Sequence, residues 1–292
     1  MAARARLDAE LVRRGLARSR EQARELIDAK LVKVNGVVAS KPATNVAKDT
    51  PIVVVDDDSR DDWASRGAHK LIGALDAFSA DGLDVTGRRC LDAGASTGGF
   101  TDVLLRRGAA EIVAVDVGYG QLVWRLQNDD RVVVHDRTNV RNLTAADIGG
   151  PVDLVVADLS FISLALVLPA FAACARPGAD LLPMVKPQFE VGKDRVGAGG
   201  VVRDPALRAG AVEHVARTAA QLGFVTRGAV ASPLPGPSGN VEYFLWLTYR
   251  PQPHHDAAAS SGADRVDTRT DLPDDAAEIS AMIRRAVDEG PS

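Results

Sequence analysis

The stretch Arg89-Cys-Leu-Asp-Ala-Gly-Ala-Ser-Thr-Gly-Gly-Phe-Thr-Asp-Val-Leu-Leu105 leaves the chain few ways to fold. It begins as an apolar strand, breaks into glycines, and restarts with the apolar spacing of a helix. Gly94, Gly98 and Gly99 let such a turn bring backbone close to a ligand, and the helix that starts there aims free N–H groups at it. The spacing is G-x-x-x-G-G, so Ser96 stands where a dinucleotide turn has the glycine that admits a pyrophosphate. Asp92, read at the strand end beside the turn, would repel a phosphate and attract a cation or an ammonium group. A nucleotide-type cofactor other than a dinucleotide is the reading.

From Arg89 onward, strands and helices alternate. Strands are expected near 89–95, 111–117, 131–135, 152–158, 179–186, 224–231 and 241–249, and helices at about 99–107, 119–127, 162–176 and 204–222. That order predicts an α/β fold, a parallel, doubly wound, Rossmann-like sheet whose ligands gather at the carboxyl ends of its strands. Acids recur at those ends: Asp92, Asp116, Asp136 and Asp158. Four carboxylates on one rim are costly unless a ligand with hydroxyls, amines or positive charge sits among them. Asp116 follows Gly94 by 22 positions, where an acid that holds ribose hydroxyls belongs. Together these features favour S-adenosylmethionine, which brings an ammonium and a sulfonium and no phosphate.

The amino-terminal end carries a different message. Residues 1–41 hold ten Lys/Arg against five Asp/Glu, while 251–292 hold four against nine, within a net charge of −4 over 292 residues. Leu7 to Leu16 has helical spacing, and Ser19-Arg-Glu-Gln22 has the form of a capping box opening a second helix to about Lys30. Asn35-Gly36 within Leu31 to Val38 signals a hairpin, and Pro51 to Val55 another strand. This basic unit resembles the αL RNA-binding fold of a small-subunit ribosomal protein and many pseudouridine synthases. The resemblance implies binding of structured RNA through phosphates and shape, with Arg4, Arg6, Arg14, Arg18, Arg20 and Lys41 as the footprint.

The expected organisation is an RNA-binding domain over 1–58, a linker over 59–64 with Trp63 placed to pin the domains together, a catalytic domain over 65–250, a flexible insertion over 251–273 and a terminal helix over 274–292. Ser65 is read as the cap of a helix from Gly67 to about Ala80, on which Lys70 lies off the apolar stripe and by pattern alone reads as exposed. Cys90 and Cys174 sit in apolar segments with no C-x-x-C spacing, so buried thiols are expected and no metal site. With no apolar leader at the start and no run long enough to span a bilayer, a cytoplasmic setting is the expectation.

Beyond the fourth strand, Val185-Lys186-Pro187-Gln188-Phe189-Glu190 aims a lysine at the same rim, and the Gly-rich stretch Val191 to Val201 is long enough for a lid. Glu242 enters the last strand after a Pro/Gly turn. In order and context, Lys70, Asp158, Lys186 and Glu242 match the K-D-K-E tetrad of RNA ribose 2′-O-methyltransferases of the FtsJ/RrmJ class. The strings S-R-G-A-H-K-L, L-D-A-G-A-S-T-G-G-F-T, V-V-A-D-L-S-F-I-S, V-K-P-Q-F-E-V-G-K and P-S-G-N-V-E-Y-F resemble those of the TlyA proteins, also called haemolysin A, from about residue 4 to 250. The resemblance implies a class I methyltransferase domain. It also implies methylation of cytidine ribose in small- and large-subunit ribosomal RNA, and sensitivity to capreomycin-like antibiotics. Cofactor contacts are expected from Asp92, Gly94, Ser96, Thr97, Gly98, Gly99, Phe100, Asp116, Asp136, Asp158 and Phe161. Where members of that family carry a basic residue followed by x-Trp in the linker, this chain departs with Asp61-Asp62-Trp63-Ala64 and Arg60 displaced upstream, so a tuning of cofactor affinity by a basic side chain there is not expected to carry over unchanged.

A ribose 2′-hydroxyl is a poor nucleophile, so the site has to remove its proton and align it with the methyl donor. Lys186 is read as the base, its neutral form favoured by Lys70 and a cationic sulfonium nearby, with Asp158 orienting Lys186 and Glu242 orienting Lys70. Two rival readings are a membrane-active haemolysin, for which the chain offers no span, and a non-catalytic ribosome-assembly factor, which would have no use for the tetrad.

Overall fold

A computed structural model of the chain describes residues 4–17, 19–28, 30–48, 50–54, 63–251 and 276–291. It divides into two compact units, Met1–Asp62 and Trp63–Ser292. Residues 59–62 of the linker expected over 59–64, and the flexible insertion expected over 251–273 apart from residue 251, lie outside the described residues.

The smaller unit runs β1 (Arg4–Arg6), α1 (Leu7–Arg13), α2 (Arg20–Asp28), β2 (Val32–Val34), β3 (Val37–Val38), β4 (Asn45–Ala47) and β5 (Ile52–Val54). Leu7, Leu11, Ala23, Ile27, Val32 and Val46 form its core. The β2–β3 hairpin turns through Asn35 at φ 51° and Gly36 at φ 78°, both left-handed, as the Asn-Gly turn requires. β5 joins the other edge of β2, and β1 pairs antiparallel with β4. That second ladder has only three residues per strand, too few to show an alternation in sequence.

In the larger unit the strands are β6 (Arg89–Ala93), β7 (Glu111–Val115), β8 (Val132–His135), β9 (Val152–Ala157), β10 (Ala175–Val185), β11 (Phe224–Ala231) and β12 (Tyr243–Tyr249). The helices are α3 (Ala68–Ser79), α4 (Gly99–Arg106), α5 (Trp124–Gln127), α6 (Leu168–Cys174), α7 (Pro187–Glu190), α8 (Pro205–Gln221) and α9 (Ala276–Asp288). The strands form one sheet in the order β11-β12-β10-β9-β6-β7-β8. Side chains alternate across it: Val155, Leu181 and Leu245 face one core with Phe171, Val215 and Ile283, while Leu154, Leu182 and Phe244 face another with Leu71, Phe78 and Leu104. Both faces are covered, which is why the strands read as continuous apolar runs.

The sheet is not wholly parallel. β12 runs antiparallel to both β10 and β11, because a Pro/Gly turn rather than a crossover helix joins β11 to β12. Three local expectations also change. Only Trp124–Gln127 of the helix expected over 119–127 is helical. The segment 162–176 splits into a 3₁₀ turn at Leu164–Leu166, α6, and the start of β10 at Ala175, since Pro177 lacks an N–H and holds Arg176 extended. Ser65 caps α3 with its backbone carbonyl, 3.1 Å from the Ala68 nitrogen, and makes no side-chain cap.

Candidate active site

The turn after β6 is built around a close approach. Gly94 sits at φ +86°, and a Cβ there would lie 2.7 Å from the Asp158 carbonyl oxygen. Gly98, at φ +100°, starts α4 against Leu122 and Leu126, whose side chains would meet a Cβ at 2.7 and 2.3 Å. Between them Ser96 takes the left-handed region at φ 48° and donates its N–H to Asp116 Oδ2 at 2.8 Å. Gly118 N–H donates to Asp116 Oδ1 at 2.7 Å, and Gly120 N–H to Asp136 Oδ2 at 2.9 Å. Each of these oxygens keeps a second lone pair for a ligand donor. Thr97 accepts the Val123 N–H on its carbonyl at 3.2 Å, which ties the turn to the segment before α5.

Asp92 departs from its expected place. It lies inside β6 rather than beyond it, fully buried, with Oδ2 receiving the Thr101 hydroxyl at 2.6 Å and Oδ1 without a partner among the described residues. Burial pushes its pKa up to about 7; the charges of Asp158 and Asp116 add to the rise, and the Thr101 bond opposes it. Phe100 is a core side chain, its ring 6.0 Å from that of Phe244, whereas Phe161 is 91% exposed at φ 65°. The donor set suits S-adenosylmethionine: carboxylates that can take hydroxyls or relieve their mutual repulsion with a cation. Lys186 is engaged by Asp158, and the carboxylates Asp116 and Asp136 beside the turn would repel a phosphate.

Strand register assembles the tetrad. β10 and β12 pair as Met184↔Phe244 and Val185↔Tyr243, so Lys186 and Glu242 come next on the two strands, at one end of the sheet. Parallel pairing of Ala157 with Pro183 brings Asp158 to the same end. Lys186 Nζ lies 2.5 Å from Asp158 Oδ1, and Lys70 Nζ 2.5 Å from Glu242 Oε2. Lys70 is therefore buried, at 9% exposure, and not the surface lysine that its helix pattern predicts. Glu242 is 1% exposed; its Oε1 has no partner among the described residues and faces Gly236, where a Cβ would stand 2.5 Å away.

Two residues escaped the sequence reading. Ser160 Oγ sits 3.0 Å from Lys186 Nζ; its signal was its place two residues after Asp158. Asp102, buried on α4, accepts from the guanidinium of Arg125 and, at 2.9 Å, from the Ala64 N–H, while the Arg106 guanidinium lies 4.1 Å over the Trp63 ring. Trp63 and Ala64 thus belong to the larger unit and are fixed to the cofactor helix.

In the smaller unit, Arg6 and Arg20 converge on buried Asp8, at 3.0 and 3.5 Å, and the Arg6 bond holds the Asp8 carboxyl down at about 2. Arg14 spends its guanidinium on Glu10 and on the carbonyls of Thr50 and Lys48, a structural task. Lys41 is exposed. Arg18 and the Arg4 side chain lie outside the described residues.

Comparison with known proteins shows the family of both units. Residues 63–249 match the FtsJ-like methyltransferase family and residues 5–52 the S4 domain. The chain is 60% identical to the 16S/23S rRNA (cytidine-2′-O)-methyltransferase TlyA of Mycobacterium tuberculosis, over the whole of both chains. It is 43% identical to YqxC of Bacillus subtilis, provisionally assigned as an rRNA methyltransferase, covering 83% of this chain and 85% of the relative. A solved structure from Streptococcus thermophilus, described as a hemolysin, superposes with a TM-score of 0.67 at 34% identity, covering 99% of this chain and 98% of that one. The chain belongs to the FtsJ-like methyltransferases, which are S-adenosylmethionine-dependent enzymes, and within them to the TlyA group that joins an S4 domain to the catalytic one.

Proposed function

We propose that this chain methylates the 2′-hydroxyl of cytidine ribose in both 16S and 23S ribosomal RNA, acting on ribosomal subunits in the cytoplasm, and that these methyl groups confer sensitivity to capreomycin-like antibiotics. The observation that carries the reading is the pair of Lys–carboxylate contacts, Lys186–Asp158 and Lys70–Glu242, at the sheet end beside the glycine turn. The name of the M. tuberculosis relative supports the two RNA targets.

S-adenosylmethionine supplies an electrophilic methyl group on a sulfonium. Asp116 and Asp136 would hold its hydroxyl and amine donors, and the turn Gly94 to Gly99 would offer it close backbone, with Asp92 buried in β6 before the turn. Asp158 Oδ1, 2.5 Å from Lys186 Nζ, orients that nitrogen as the base that takes the proton of the ribose hydroxyl. Lys70, neutralised by Glu242, remains a fixed donor that orients the same ribose. Residues 1–58 bring the RNA, with Arg6, Arg20 and Lys41 as phosphate contacts.

Lys186→Ala is expected to lower methyl transfer to ribosomal RNA by roughly 10²–10⁴-fold, the range of a lost general base. S-adenosylmethionine binding by calorimetry should stay within about twofold of the parent. Turnover close to that of the parent would remove Lys186 from the mechanism.

A further inference from the structure

The loop between β9 and the 3₁₀ turn at Leu164–Leu166 carries Asp158 and Ser160, both bound to Lys186, and then Phe161. Phe161 holds φ at 65° with its ring 91% exposed, a backbone state that a bulky residue keeps only when its surroundings over-determine it. The far end of the loop is tied down by one carboxylate. Glu190 Oε2 accepts the Ser163 hydroxyl at 2.6 Å and Oε1 accepts the Leu164 N–H at 2.8 Å. Ser163 Oγ also accepts from the Ala165 N–H at 3.2 Å and so caps the 3₁₀ turn. Between the tie points the Phe161 ring rests 5.3 Å from that of Phe189.

Glu190 closes α7, the short helix that begins directly after Lys186. The segment Lys186–Glu190 therefore grips the loop at both ends, by Lys186 at Asp158 and Ser160 and by Glu190 at Ser163 and Leu164. Burial pushes the Glu190 carboxyl above its usual range, against the Ser163 and Leu164 bonds, so the side chain is held in a desolvated place by the loop it holds.

We infer that Glu190 is a positioning residue: its carboxylate clamps the loop 159–164 so that Asp158 and Ser160 stay in register with Lys186 and Phe161 stays presented to the RNA. The inference rests on Lys186 as the base of the proposed reaction. The Glu190 bonds lie at Ser163 and Leu164, the end of the loop away from Asp158, whose carbonyl abuts Gly94, so their loss acts more on turnover than on cofactor affinity.

Glu190→Gln, Ser163→Ala and the double variant test this with the full chain, using kcat and KM on ribosomal subunits, S-adenosylmethionine binding by calorimetry, and hydrogen exchange of the peptide spanning 159–166. Glu190→Gln keeps the size but puts an amide donor where Leu164 N–H or Ser163 Oγ–H needs an acceptor. The expected result is a fall in kcat of about 10–100-fold with cofactor affinity within about twofold and faster exchange in that peptide, a misplacement effect. The double variant should be no worse than Glu190→Gln alone, since both changes release one clamp. Unchanged kcat with unchanged exchange overturns the inference, and so does a parallel loss of cofactor affinity with exchange rising across the whole sheet. Should the parent fail to methylate ribosomal RNA, the proposed reaction falls, while the exchange of that peptide in the three variants still decides whether Glu190 holds the loop.

Discussion

At the scale of single residues, the charges out of water decide most. Lys70 and Glu242 form a buried pair, and Glu242 Oε1 has no partner among the described residues. Lys70→Ala is expected to cost roughly 3–5 kcal/mol, because it strands the carboxylate. Adding Glu242→Gln should return much of that stability and none of the activity, a contrast that denaturant unfolding and a methyl-transfer assay on the same samples would show. Asp92 gives a pH test. Its pKa is pushed up to about 7 from an ordinary 3.8, so the folded state keeps a proton that the unfolded chain releases. Its effect on stability is nil below about pH 4, becomes a growing penalty as pH rises to about 7, and stays constant above that. Asp92→Asn, which still accepts from Thr101, should therefore match the parent at about pH 4 and exceed it in thermal stability at about pH 8. Equal differences at both values would mean that Asp92 is ionised throughout.

Among the elements, the β6 turn is the least forgiving. Gly94→Ala puts a Cβ at φ +86° and 2.7 Å from backbone, so about 1–3 kcal/mol of stability and at least roughly tenfold in cofactor affinity should go together, as thermal unfolding and calorimetry on one preparation can show. This turn was legible in sequence because glycines, a strand and a helix are all local signals. So were the hairpin at Asn35-Gly36 and the terminal helix, whose Ile283 and Val287 join the core beside Val215. What sequence could not show was set by distant partners. Lys70 lies off an apolar stripe and is buried only because Glu242, 172 positions later, meets it. Asp92 was placed on the rim because an acid at a strand end reads as exposed; one position of register enclosed it. The antiparallel β12 and the early start of β10 follow from a tight Pro/Gly turn and from Pro177, whose effect on neighbouring strands no periodicity records.

For the molecule as a whole, the proposed function divides the work between an S4 unit that captures RNA and a catalytic unit that carries the tetrad. Not all of the basic residues are free for capture. Arg14 is committed to Glu10 and backbone carbonyls, so Arg14→Ala should destabilise the smaller unit more than it weakens RNA binding at a given folded fraction. Lys41 is exposed, and Lys41→Glu should weaken binding to ribosomal subunits and lower the slope of log K against log salt by about 1, as one lost phosphate contact would. A filter assay at two or more salt concentrations measures both quantities. The central claim, that the tetrad at the sheet end methylates cytidine ribose in ribosomal RNA, is tested most directly by mapping ribose methylation on both ribosomal RNAs after incubating unmethylated subunits with the chain and S-adenosylmethionine. The expected result is new 2′-O-methylcytidine in 16S and in 23S RNA with the parent chain and none with Lys186→Ala; methylation on a base, or equal ribose methylation by both chains, would contradict it.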